Sequence, residues 1–184
     1  MDLTSYLRIQ ARANGLSNHR LHAAMAPLPQ AEFQASRVGF FPSLAATLNH
    51  ILLVDLYYIG SLHGDPGARS AALAFEPSSN LPDLAARQAE SDRRLIALCD
   101  RLDAAALDAE VAMERADHVQ RDRAGHVLAH LFNHQTHHRG QAHAMLSSTA
   151  IAPPQLDEFM MPSEAHLRAA DMAALGWREA DIYR

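Results

Sequence analysis

The stretch SLAATLNHILLVDLYYIGSL, residues 43–62, constrains this chain more than any other. It follows Pro42, opens on Ser43 as a helix N-cap, and runs into HGDPG, whose turn chemistry stops it. Its apolar residues lie nearly all round the helical wheel, which predicts the most buried helix of the fold. It does not span a bilayer. The best apolar run, Ile51 to Ile59, is too short and contains Asp55.

Three further long segments carry helical spacing. The first runs from about Leu3 to Met25, with Leu3, Leu7, Leu21 and Met25 on one side and Pro27 and Pro29 beyond its end. Gln10 and Asn14 share that side, unusual company for a core stripe. The third opens at SSNLPDL, with Asn80 as cap and Pro82 in the first turn. Leu84, Leu95, Leu98 and Leu102 mark its buried side, and Glu90 and Arg94 form an expected exposed i,i+4 pair. The fourth runs from about Asp122 to Ser147, ahead of Pro153 and Pro154. Between the third and fourth, residues 104–121 read as a partly structured connection, with EVAME as a short extended piece. A shorter helix is predicted from Ser163 to Gly176.

Strand-type alternation is scarce, and alanine and leucine dominate. The reading is an all-α four-helix bundle with a short C-terminal helical extension, in one domain over residues 1–184. A net charge of -5 and the lack of a basic run give no reason to expect a nucleic-acid partner. The N-terminal residues lack the apolar core of a secretory signal. Cys99 is the single cysteine, which rules out an intrachain disulfide framework and fits a reducing cytoplasm. It is read as a small buried hydrophobe rather than a nucleophile.

HLFNHQTHHRGQ, residues 130–141, places four imidazoles on the fourth segment, and His143 follows. At about 100° per residue, Val127, Leu131, Ala142 and Met145 form its apolar stripe. His134 and His138 fall within that stripe. His130 and His137 lie off its edge, and His143 points away. Two imidazoles one turn apart, with Cβ atoms roughly 5–6 Å from each other, can share one metal ion. As hydrogen-bonded core histidines they would each need a donor and an acceptor, and they repel when charged. A third ligand must come from another helix. His19 and His22 lie in a polar stretch and read as surface, and His63 belongs to a turn. His50, within TLNHILLVD, completes a set with His134 and His138 that leaves coordination positions open.

HLFNHQTHHRGQ together with LNHILLVD, NHRL in the first segment and PQLDEF after the fourth resembles the DinB/YfiT-like family of metal-dependent proteins. The resemblance implies an up-down-down-up bundle, often a homodimer, with a divalent metal on His50, His134 and His138. Members known to be enzymes are thiol-dependent. They include transferases that join bacillithiol or mycothiol to electrophiles and a mycothiol-dependent maleylpyruvate isomerase. Many members have no known activity.

Zinc, nickel or iron would suit such a donor set. A low-molecular-weight thiol cosubstrate is the expected nucleophile, with S-transfer to a small-molecule electrophile as the reaction. A hydrolase is the alternative, and a non-catalytic metal-stabilised bundle with a binding or stress-response role is another. Gln141, Tyr57 and Asn18 are the expected substrate-lining residues, with Asn14 a weaker candidate. Arg139 is expected at the surface, and Gly140 is expected where a neighbour packs closely.

Overall fold

Each long helix starts where a side chain or a strand settles its first turn. The computed structural model describes residues 1–157 and 160–183. Helix α1 spans Leu3–Met25 and begins where the Asp2 carboxylate accepts from the Ser5 N–H at 2.8 Å. Helix α2 is a short piece, Gln30–Gln34, that buries Phe33. Helix α3 spans Leu44–Leu62, and Ser43 Oγ accepts from the Ala46 N–H at 3.1 Å, as its sequence predicts. Helix α4, Ala68–Leu73, follows the turn. Helix α5 spans Leu81–Asp100, with Asn80 capping the Asp83 N–H at 3.0 Å.

The connection after α5 is more ordered than expected. Helix α6, Ala104–Asp108, leads into strand β1, Glu110–Glu114, which is the EVAME segment. It pairs antiparallel with β2, Val119–Arg123, from Glu110↔Arg123 to Glu114↔Val119. That pairing engages Asp122 and Arg123, so helix α7, Ala124–Leu146, starts later than its sequence suggests. Val111 and Met113 turn inward and join Val127 and Ala124 in a small cluster. A 3-10 turn, Pro162–Glu164, precedes helix α8, Ala165–Leu175, which Gly176 ends at φ +67°. The short helices α2 and α4, expected only as turns, complete the connections.

Two apolar clusters establish the topology. One gathers Leu21 and Met25, the C-terminal end of α1, with Leu44 and Leu48 of α3, Leu81 and Leu84 of α5, and Met145 and Leu146 of α7. The other gathers Leu7 of α1 with Ile59, Leu95, Cys99, Leu128 and Leu131, the opposite ends of the same helices. Hence α1 and α7 run one way and α3 and α5 the other, an up-down-down-up bundle. Helix α1 packs against α5 and α7, and α3 packs against the same two, so α1 lies diagonally across from α3. No helix of the described residues is long and apolar enough to cross a membrane.

Between the two clusters lies a buried polar layer to which all four long helices contribute. Arg139 Nη1 donates to Asn14 Oδ1 at 2.7 Å and to Asn18 Oδ1 at 2.9 Å. The amides of those asparagines donate in turn to Asp92 Oδ1, at 3.2 and 2.9 Å. Gln88 Nε2 donates to Asp55 Oδ2 at 2.8 Å and, more weakly, to Asp92 at 3.3 Å. Arg139 is therefore buried, not at the surface, because it is the cation that faces these carboxylates. The polar residues on the inner side of α1 acquire the same explanation.

Other expectations are corrected here. Leu3 is exposed, since the bundle begins one turn later, at Leu7. Glu90 pairs with Arg93, while Arg94 reaches Asp65 across the α3–α4 turn at 2.9 Å. His22 is buried, covered by the α1–α5 packing. A Cβ built on Gly140 would meet nothing within 4 Å, so close packing does not explain that glycine.

Candidate metal centre

The packing of α3 against α7 brings three imidazoles together. His50 lies in the second turn of α3, and His134 and His138 are one turn apart on α7. His50 Nε2 is 3.0 Å from His134 Nε2. One ring nitrogen from each of His50, His134 and His138 lies within 4.8 Å of the other two. Two nitrogens bound tetrahedrally at about 2.1 Å from a common ion are roughly 3.4 Å apart, so small rotamer adjustments bring the set to coordination distance. His130, His137 and His143 stay outside it. His143 Nε2 instead meets the Pro154 carbonyl at 2.9 Å.

The electrostatics favour the ligand form of each ring. Burial pushes the His134 pKa down to about 4, helped by the neighbouring His138 and His50 rings. Burial also lowers His50, followed by His138. His138 is lowered by burial too, although its bond to Gln141 acts in the opposite sense. Neutral imidazole carries the lone pair a cation needs. The two Nε2 atoms at 3.0 Å can share a hydrogen bond only if one ring donates and the other accepts, whereas a cation would take the lone pairs of both.

Gln141 has a defined place. Its Oε1 accepts from His138 Nδ1 at 2.8 Å, which leaves the His138 Nε2 lone pair free for an ion. Its amide lies 3.1 Å from His137 Nε2, so the side chain bridges two histidines. His134 Nδ1 is buried and has no such partner among the described residues.

An aromatic flank stands over this group. Phe41 lies 4.4 Å from His50 and 5.5 Å from His138, ring to ring, and Phe40 lies 6.2 Å from His138. Phe40 is 78% exposed. A Cβ on Gly39 would come within 2.2 Å of Met145 Cε, so this loop lies directly against the flexible side chain at the end of α7. Sequence reasoning missed both phenylalanines. The available signal was GFFPS immediately before the helix that carries His50.

The remaining candidates lie elsewhere. Tyr57 Oη donates to the Glu114 carbonyl at 2.6 Å, and its ring packs under Arg115, so it anchors the β-hairpin. Asn18 and Asn14 belong to the polar layer between Arg139 and Asp92. Asn18 also borders a cavity between α1 and α5 that none of the three histidines touches. A cavity of about 660 Å³ lies between the α3–α4 turn and the hairpin and is likewise separate from the triad. Cys99 is fully buried and its thiol is pushed up to about 12 by that burial, which suits a packing role. Of the PQLDEF motif, Glu158 and Phe159 lie outside the described residues.

The family model described as the DinB family matches residues 10–172. No curated protein matches the chain. The match extends from α1 into α8 and takes in every helix of the bundle and all three clustered histidines. The chain belongs to the DinB family.

Proposed function

We propose that this protein is a metal-dependent enzyme that activates a low-molecular-weight thiol for transfer to a small electrophile. The observation that carries the reading is the convergence of three neutral imidazoles from two helices beside a partly exposed aromatic flank. His50, His134 and His138 would hold a zinc, nickel or iron ion. Such an ion supplies positive charge that three neutral ligands do not cancel, and so lowers the pKa of a thiol from about 8.5 into the neutral range.

The chain's own groups then act by position. Gln141 holds His138 in the tautomer that points its lone pair inward. Phe41 keeps water from one side of the site, and Phe40 offers an apolar surface to an electrophile. Cys99 supplies no sulfur, because it is buried in the core. A homodimer in the cytoplasm completes the proposal.

The test is a cobalt-substituted protein titrated with glutathione, bacillithiol and mycothiol, followed by a turnover screen against electrophiles. A thiol-dependent change in the visible spectrum, absent in His50→Ala, is expected. A spectrum indifferent to every thiol, with chelation causing a large drop in melting temperature, would replace the enzyme with a structural metal site. Hydrolysis without any thiol would assign the nucleophile to water.

A further inference from the structure

The face of the bundle opposite the histidines holds a second built cavity. It has a volume of about 340 Å³ and lies between α1 and α5, with Leu175 and Trp177 at its C-terminal edge. That size is at the lower end of small-molecule sites. Since α1 and α5 pack side by side across the bundle from α3 and α7, nothing bound here touches the triad.

We propose that this groove binds a small amine with a flat apolar body, its ammonium group received by Asp92. Three observations support the assignment. The walls are small or flat: Ala85, Ala89, Ala23 and the indole of Trp177. The indole packs closely over Gly15; a Cβ built there would lie 3.3 Å from the ring, a tight contact.

The floor is polar and buried. Asp92 and Gln88 line it, both at least nine-tenths buried. Asp92 is the carboxylate of the layer that reaches this cavity, while Asp55 lies deeper, bonded to Gln88, and is not part of the lining. Asp92 Oδ2 accepts only a 3.2 Å bond from Asn18 among the described residues, so a ligand ammonium can complete its hydrogen bonding. Arg93 borders the same cavity but is largely exposed and engages Glu90, so it does not replace a ligand cation at the floor.

The third observation is His22. It is 8% exposed and lines the cavity, and its Nδ1 has no hydrogen-bond partner among the described residues. A buried ring nitrogen left unmatched is costly, and an N–H from a bound amine is one way to match it. The apolar body would stack on Trp177, where a nearby positive charge also gains from the indole face.

Trp177 is the single tryptophan, so its fluorescence reports on this groove alone. The experiment titrates the whole chain with 2-phenylethylamine, 2-phenylethanol and 3-phenylpropionate. Saturable quenching by the amine is expected, with the alcohol and acid at least tenfold weaker. Ala89→Leu fills the groove from its wall, and Asp92→Asn removes the charge; each should weaken amine binding tenfold or more, and His138→Ala should leave it unchanged. Ala89→Leu lies on a partly exposed helix face and so tests the site even if Asp92→Asn does not fold. Equal binding of all three probes would overturn the assignment of an amine. Absence of saturation, or binding lost in His138→Ala but kept in Ala89→Leu, would overturn the site. A failed thiol titration at the triad leaves this result untouched, since the two readouts are independent.

Discussion

Asp55 offers a sharp test of the buried layer. Its carboxyl is 1% exposed, Oδ2 takes one bond from Gln88, and Oδ1 has no partner among the described residues. Burial pushes its pKa from 3.8 up to about 8; Gln88 opposes the rise and the nearby Asp92 adds to it. Asp92 is itself raised, to about 6, by burial. At neutral pH, then, Asp55 keeps its proton, and Asp92 carries the charge that faces Arg139. The folded state binds a proton that the unfolded state has released. Stability therefore falls as pH rises between the two values. At about 1.4 kcal/mol per unit, folding with this carboxyl costs about 4 kcal/mol at pH 7 relative to acid conditions where both states are protonated.

Asp55→Asn keeps the shape and removes the titration. The amide oxygen still accepts from Gln88, and the new NH₂ occupies the position of Oδ1. The variant should gain on wild type by about 1.4 kcal/mol for each pH unit between roughly 5 and 7.5. Urea unfolding of both proteins at several pH values, with chelator present, measures this directly. His22 and the triad titrate in both proteins and cancel in the difference. Parallel stability profiles would show that Asp55 is ionised in the fold and would refute this account of the layer.

Four other outcomes follow from the same geometry. Acid should destabilise the protein through His22, whose pKa burial lowers to about 4: the native state resists protonation, so stability falls from about pH 6.5 downward, by roughly 3 kcal/mol near pH 4. His22→Leu unfolded in parallel should show a flatter profile over that window. Gln141→Leu releases the His138 tautomer and should weaken metal binding by about tenfold or more, as measured by competition with a chelator. His134→Ala should abolish the rise in melting temperature that excess metal gives wild type, which amounts to about 2.7 kcal/mol at a hundredfold excess over Kd. Leu16→Ala opens a cavity at a fully buried position of α1 and should cost about 2–5 kcal/mol in urea unfolding.

Much of this protein is legible along the chain. Ser43, Asn80, Pro82 and Gly176 mark helix ends because capping depends on groups within a few residues. His134 and His138 share a face because four residues nearly complete a turn, and His50 is singled out by its apolar surroundings. Arg139 shows where this reading stops. On α7 alone it sits among histidines and glycine and looks like a surface residue. Only the opposing α1, with Asn14 and Asn18, and α5, with Asp92, turn it into a buried cation. Phe40 and Phe41 come to stand over His50 and His138 for a similar reason: a loop's course depends on what it lies against, here the end of α7 at Met145. Periodicity and caps are local and survive in a sequence read one residue at a time. Which helix faces which, and what that pairing covers, is decided by contacts between residues far apart in the chain, and those exist only once the bundle has closed.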